Sequence, residues 1–427
     1  MQKKMKEEFL YYVWQYQLFY TSTLKSVHHQ EINVLKFGVQ NKNSGPDFLN
    51  AHIKMGDETW VGNVEMHVKS SDWYVHNHEN DSNYDAVILH VVWEHDVEVF
   101  TKNNQPIPTL ELKNYIDKEL IINYNGLIND SKRWIPCEQQ IHQMEPFLVH
   151  NWLERLYFER LEHKSEFIKE LLQEINFDFE SVLFRLLAKN FGLKINGEGF
   201  FKLASSLDFS IIQKVRFDEI QLSALLFGQA GFLEDELEIP FHKQLRTEYQ
   251  YLKHKYQLQS IHKNNFQFFR MRPPNFPTIR LAQLINLIFQ QQHLFSKIIE
   301  IDQKEDFYKL FNVEVLDFWK THFTFETTSK KSPKKLTKSF VDLLLINTII
   351  PLKFIYLQTK TDFDEETILR LIQQITPEKN AIIEGFEGLH ITAKNAMESQ
   401  ALIELKNNYC TKKRCLQCAI GIKLVRN

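Results

Sequence analysis

The sequence predicts an α+β protein, with a mixed α/β domain over residues 1–140 and a mainly α-helical domain over residues 141–427. Three observations carry this. Segments before about residue 115 alternate apolar and polar residues with the period of two that marks strands. Beyond about residue 140 the apolar residues recur at helical spacing. The 427 residues include 34 phenylalanines but only 13 glycines, a balance that favours helices over long flexible loops. A chain of this length can bury two or three substantial cores.

Taken in order, Glu8 to Tyr20 reads as an aromatic-rich amphipathic helix. Glu31 to Val39 alternates as a strand and stops at the turn-forming run Gln40-Asn41-Lys42-Asn43-Ser44-Gly45. Phe48 to Met55 and Thr59 to Lys69 form a hairpin around Gly56-Asp57-Glu58. The polar stretch Ser70 to Asp85 suits a short helical crossover anchored by Trp73 and Tyr84. Ala86 to Trp93 is almost wholly apolar, as expected of a strand covered on both faces. A last hairpin is expected from Val97 to Leu112 around Asn103-Asn104-Gln105.

In the second domain, Phe147, Leu148, Trp152, Leu153, Leu156 and Tyr157 follow one helical face. Glu154, Arg155, Glu159 and Arg160 decorate the other. Further helices are expected at 179–191, 222–227, 278–291, 338–357, 365–375 and 396–405. The basic run Lys330-Lys331-Ser332-Pro333-Lys334-Lys335 reads as a solvated linker.

Hydrophobic content of 43% and charged content of 25% are ordinary for a soluble globular chain. A net charge of −3 excludes a strongly basic protein that coats nucleic acid, and leaves room for a local basic groove. No apolar signal core follows the N-terminal lysines. The greasy stretch Phe340 to Leu357 is broken by Asp342, Asn347, Pro351 and Lys353, so it reads as a buried helix, not a membrane span. A cytoplasmic location without a membrane partner is the expectation. In that compartment the four cysteines are not expected to form disulfides.

Chemistry concentrates in two neighbouring strands. In Gly62-Asn63-Val64-Glu65-Met66-His67-Val68-Lys69, alternation puts Glu65, His67 and Lys69 on one face and the apolar residues on the other. Asp47, in Gly45-Pro46-Asp47-Phe48, enters the preceding strand. Two carboxylates beside a base can hold a divalent cation and activate water. Pro46-Asp47 followed by Glu65-Met66-His67, in the order helix, three strands, helix, strand, resembles the PD-(D/E)XK nuclease superfamily. The resemblance implies a restriction-endonuclease-like fold over the first quarter of the chain, with DNA as substrate. It also implies Asp47 and Glu65 as ligands of Mg2+ (or Mn2+). The third motif residue is ordinarily lysine, and His67 stands in its place. The water is therefore expected to be positioned by His67 itself, or by Lys69 reaching back along the same face. His76 and His78 could imitate a metal pair, but are read as capping or hydrogen-bonding groups of the crossover. His90 is read as the partner of a buried neighbour.

The cysteines fit one scheme. Cys410, Cys415 and Cys418 lie in Cys-Thr-Lys-Lys-Arg-Cys-Leu-Gln-Cys, and Cys137 lies alone in Trp134-Ile135-Pro136-Cys137. Three clustered thiols and one remote thiol make a four-ligand site for zinc or an iron–sulfur cluster. Lys412, Lys413 and Arg414 are expected to favour thiolates. The layout partly resembles iron–sulfur nucleases of the Cas4 and AddB kind, which implies a staple holding the chain end to residue 137. The lone cysteine here follows the core instead of preceding it.

In Arg270-Met271-Arg272-Pro273-Pro274-Asn275-Phe276-Pro277-Thr278-Ile279-Arg280, three prolines stiffen the approach to a helix. Arg270, Arg272 and Arg280 gather near its N-terminus, a place suited to phosphate. The expected function is thus a metal-dependent deoxyribonuclease. The competing expectations are a non-catalytic nucleic-acid-binding or scaffold protein that keeps the fold, and an assembly partner held together by its cysteine-bound metal.

Overall fold

The computed structural model describes residues 5–128, 132–360 and 364–427 of an α+β protein: a mixed sheet with helices, then a largely helical region. Two compact units divide the chain. The first joins Met1–Trp152 to Leu405–Asn427, and the second is Leu153–Glu404. The cysteine-rich tail, grouped with the helical domain by sequence, thus packs within the first unit.

The first unit opens with helix α1 (Glu7–Gln15), whose Phe9, Leu10, Val13 and Trp14 are buried. Glu7 and Glu8 occupy its first turn, where the helix dipole favours negative charge. Phe9 stacks on Tyr124 with ring centroids 4.3 Å apart. The helix ends well short of Tyr20, because Gln17 takes a left-handed backbone with φ of 54°.

Six strands follow: β1 (Ile32–Lys36), β2 (Val39–Gln40), β3 (Phe48–Met55), β4 (Glu58–Lys69), β5 (Val87–Glu94) and β6 (Thr109–Glu111). Between β1 and β2, Gly38 at φ 84° divides what the sequence suggested was one strand. The sheet order is β1-β3-β4-β5-β6, with β2 also paired to β3. Strands β1, β3 and β4 form an antiparallel meander, whereas β4, β5 and β6 run parallel. The crossover between β4 and β5 holds helix α2 (Asp72–Val75) and two 3₁₀ turns, His78–Asn80 and Ser82–Tyr84. The expected hairpin over 97–112 is replaced by a single Phe100–Pro106 bridge before β6. Pro106 and Pro108 remove ladder donors there.

Helix α3 (Lys118–Ile128) closes this part of the unit, and the C-terminal helix Ala419–Arg426 packs on it. That packing buries Ile420 and Val425, the physical reason the tail joins this unit.

In the second unit, Asp178 caps the helix Phe179–Phe191 by accepting from the Ser181 amide. Helices at Glu219–Gln229 and Pro277–Gln290 match the expected segments. The helical run Lys338–Gln358 is long and apolar enough to cross a membrane by length and composition, but 72% of that window is buried inside the fold. Its ladder widens into a π-helical stretch at Leu345–Ile349, just before Pro351. The basic run at 330–335 lies inside this unit and is not a linker between units. Lys334 Nζ turns inward to donate to the Trp319 and His322 carbonyls, each at 2.6 Å.

Candidate metal centre

Strand β4 outruns β3 at the site. The last strand pairing there sets Phe48 opposite Val64, so the Met66 amide lies beyond the β3 ladder. Asp47 Oδ2 accepts that N–H at 2.9 Å, and the Asp47 amide donates to Glu65 Oε2 at 3.1 Å. The two carboxyls are therefore clasped across neighbouring strands. Asn41 shapes the preceding loop by donating to the Ser44 and Pro46 carbonyls, both at 3.1 Å. Gly45, at φ 100°, supplies the turn.

Beyond this clasp stand imidazoles. Glu65 Oε1 lies 3.3 Å from His78 Nε2 and 3.5 Å from His67 Nε2. His67 Nε2 is 3.0 Å from His76 Nδ1, and His67 Nδ1 is 2.8 Å from His90 Nε2. Donor atoms of His67, His76 and His78 all fall within 4.8 Å of one another. The crossover makes this convergence possible. Helix α2 ends at His76, and Asn77 turns left-handed at φ 60°, a conformation asparagine tolerates. His78 then begins the next turn facing the same point. Its ring stacks on Tyr84, with centroids 3.7 Å apart, and meets Trp73 edge-on.

Glu65 and His67 are 5% and 1% exposed, and His90 is fully buried. Burial, then the neighbouring Glu65 charge, raises Asp47 well above the usual carboxyl range, and burial raises Glu65 likewise. Burial, followed by His90, His78 and His76, holds His67 down at about 2. Burial also lowers His78 and brings His90 to about 3. Burial thus disfavours the charged form of His67, His78 and His90, and neutral imidazole is the form that binds metal. From α1, the Tyr11 hydroxyl lies within hydrogen-bond reach of both Asp47 and Glu7. Glu7 in turn accepts from the Val68 amide.

A groove of about 1230 Å³ reaches this cluster at His76, and its wall includes Lys6, Glu7, Lys69, Asp72 and Lys113. Lys69 is half exposed, and its ammonium pairs with Asp96 at 3.8 Å. It shares the face of Glu65 and His67 as expected, yet it belongs to the groove wall. The side chains that pair with Glu65 are imidazoles.

Residues 7–381 match the model of a family described as a protein of unknown function (DUF2851). The chain belongs to that family. No curated protein and no solved structure matches it.

In this DUF2851 chain the four cysteines are buried, unbridged, and line one pocket with Pro136, Tyr409 and Arg414. Burial pushes the Cys137 and Cys415 thiols up to about 12 and raises Cys410 and Cys418. Lysines do little to offset this. Lys413 exerts only a minor pull on Cys415, and its ammonium donates to the Ile128 carbonyl. Lys412 pairs with Asn408.

The arginines belong to the second unit. Arg270 and Arg272 are exposed. Arg280 is buried, donates to Gln283 at 3.0 Å and Asn275 at 2.6 Å, and sits 3.9 Å over the Phe340 ring. Its guanidinium is committed to the helix start. Sequence reasoning gave no functional role to His76 and His78 and passed over Glu7 and Tyr11. The available signals were the His-Asn-His triplet and the one-turn spacing of Glu7 and Tyr11.

Proposed function

We propose that this protein is a metal-dependent hydrolase of DNA phosphodiester bonds, working at the Asp47–Glu65 pair. The observation that carries the reading is the clasp between these carboxyls, from adjacent strands of a meander that passes into a parallel crossover strand. The resemblance implies a helix, three strands, a helix and a strand; α1, the β1-β3-β4 meander, α2 and β5 follow one another here, with the short β2 added. A bound divalent cation supplies an acidified water and offsets charge on the phosphate. Tyr11 and the Met66 amide fix Asp47. His78, clamped by Tyr84 and Trp73 beside Glu65, would help to hold that cation through its ring nitrogen. Lys6, Lys69 and Lys113 on the groove wall suit contacts to a phosphodiester backbone, and Arg270 and Arg272 offer further exposed charge. The four cysteines would hold a structural zinc or iron–sulfur group apart from this chemistry.

One observation favours the non-catalytic alternative: Lys69 pairs with Asp96, so no lysine takes the third motif role. Cleavage of linear, circular and single-stranded DNA by wild type, Asp47→Ala and Glu65→Ala tests the reading across several divalent metals. Metal-dependent cutting by wild type and its loss in both folded variants is expected. Binding without cutting selects the alternative, and neither binding nor cutting rejects both.

A further inference from the structure

We infer that His67, His76 and His78, with Glu65 beside them, form one coordination site for a nitrogen-preferring transition-metal dication such as Zn2+ or Co2+, and not for Mg2+. The inference rests on the metal-centre reading above and is independent of the substrate.

Magnesium fails on donor chemistry. It requires near-octahedral oxygen donors and retains several waters. Here the carboxylate oxygens are largely engaged: Asp47 Oδ2 by the Met66 amide and Glu65 Oε2 by the Asp47 amide. Glu65 Oε1 faces two imidazoles instead of open solvent. Three imidazole nitrogens with a carboxylate beside them suit zinc, cobalt or iron far better.

Geometry agrees with that choice. Bonds of roughly 2.0–2.2 Å in a tetrahedral site put neighbouring donors about 3.3–3.6 Å apart. The separations between Glu65 Oε1 and the Nε2 atoms of His78 and His67 are 3.3 and 3.5 Å, and His67 Nε2 to His76 Nδ1 is 3.0 Å. The donor atoms of the three histidines lie within 4.8 Å of one another, and Glu65 adjoins them through His67 and His78.

His90 supplies the outer partner that metal-bound histidines ordinarily have. With its Nε2 lone pair toward the ion, neutral His67 carries its proton on Nδ1 and donates it to His90 Nε2, 2.8 Å away. His90 then holds its own proton on Nδ1, which has no hydrogen-bond partner in its buried setting. His90 is thereby a positioning residue for His67. Because His76 is exposed and borders the groove, the ion would be reachable from solvent on that side.

The test is metal content and affinity, read apart from any activity. Full-length protein stripped with chelator is titrated with Co2+ and Zn2+, and bound metal is counted by elemental analysis. Wild type is compared with His76→Ala, and with the double variant His76→Ala/His78→Ala. Taking the difference cancels any ion at the cysteines. Loss of one equivalent of Co2+ in the double variant is expected, with at least a tenfold weaker site in His76→Ala. Millimolar Mg2+ should leave the Co2+ in place. Since His76 is exposed, that single variant should retain the wild-type circular dichroism spectrum. Equal metal content in wild type and variants, or displacement by Mg2+, overturns the inference. Should the ion bind as described and DNA remain uncut, the site stands and the hydrolase reading fails. Cleavage supported by Mg2+ alone, with no histidine-dependent ion, reverses that outcome.

Discussion

At Asn77 the backbone turns left-handed, and the turn brings His76 and His78 to the same point beside Glu65. A branched side chain resists that conformation, at a cost of roughly 1–2 kcal/mol. Asn77→Val is therefore expected to lower the unfolding free energy by about that amount and to weaken metal binding. Asn77→Gly, free to adopt the same φ, should preserve both; chemical denaturation paired with metal titration checks the contrast. A second test concerns Lys164 in the helical unit, whose amine donates to the Asn347 side chain at 3.0 Å and Gln400 at 2.8 Å. Burial, then Arg160, lowers it from 10.5 to about 7. A cation depressed in this way favours the folded state above its unfolded value, and that contribution is lost as pH falls toward the folded value. Wild-type stability should therefore rise between about pH 7 and pH 10 relative to Lys164→Met, as urea midpoints across that range would show. Such features were only partly legible in the sequence. Alternation correctly placed Glu65, His67 and Lys69 on one strand face, but not which way a long lysine side chain would lean. Neither could spacing reveal that Arg280 would be buried against Phe340, or that Asn77 would turn left-handed.

Strand β4 shows why the site could be located by pattern while its neighbours could not. Strict alternation of Val64 and Met66 against Glu65 and His67 is a local property, and strand identity follows from it. The division into β1 and β2 depends instead on the backbone of Gly38, and the failed second hairpin on two proline positions. His90 reads in sequence as one polar residue in an apolar strand; only the parallel register, which sets it beside Glu65, brings it near His67. That register is tight at Gly62. A Cβ there would come within 2.5 Å of both the Ala86 carbonyl oxygen and Ile88 Cγ2 on the crossover side. The Ala86 carbonyl already accepts the Asn63 amide at 2.8 Å, so it cannot easily retreat. Gly62→Ala is accordingly expected to cost about 1–3 kcal/mol, as overpacking does. It should also disturb the approach of β5 to β4 on which the His67–His90 contact depends. Denaturant unfolding measures the first effect, and loss of Co2+ affinity measures the second.

On the scale of the whole molecule, the last 23 residues complete the first unit, although the whole helical unit separates them in sequence from the rest of it. Composition and periodicity could not show this, because a helical tail has the same local pattern wherever it docks. The cysteine spacing alone hinted at the return to residue 137. The contacts are specific: Arg426 Nε donates to the Tyr12 hydroxyl at 2.7 Å, Lys406 Nζ to the Trp134 carbonyl at 2.8 Å, and Lys413 Nζ to the Ile128 carbonyl at 2.8 Å. Tyr409 also meets Trp152 edge-on at 5.4 Å. The C-terminal helix covers α3, and the Cys418 thiol hydrogen-bonds with Trp152. Ending the chain after Glu404 would uncover this apolar surface, remove three of the four cysteines and leave Cys137 alone. Each fully buried large apolar side chain exposed costs roughly 1.5–3 kcal/mol, and Ile420, Leu405, Leu416 and Val425 are all buried. That sum rivals the whole stability of an ordinary domain, about 5–15 kcal/mol. Truncation after residue 404 is therefore expected to unfold the first unit while the second, whose own residues run from Leu153 to Glu404, keeps its helices. Limited proteolysis should then cut rapidly before residue 153 and leave a resistant helical fragment. A truncated chain as resistant as wild type throughout would show that the tail decorates the sheet unit without supporting it.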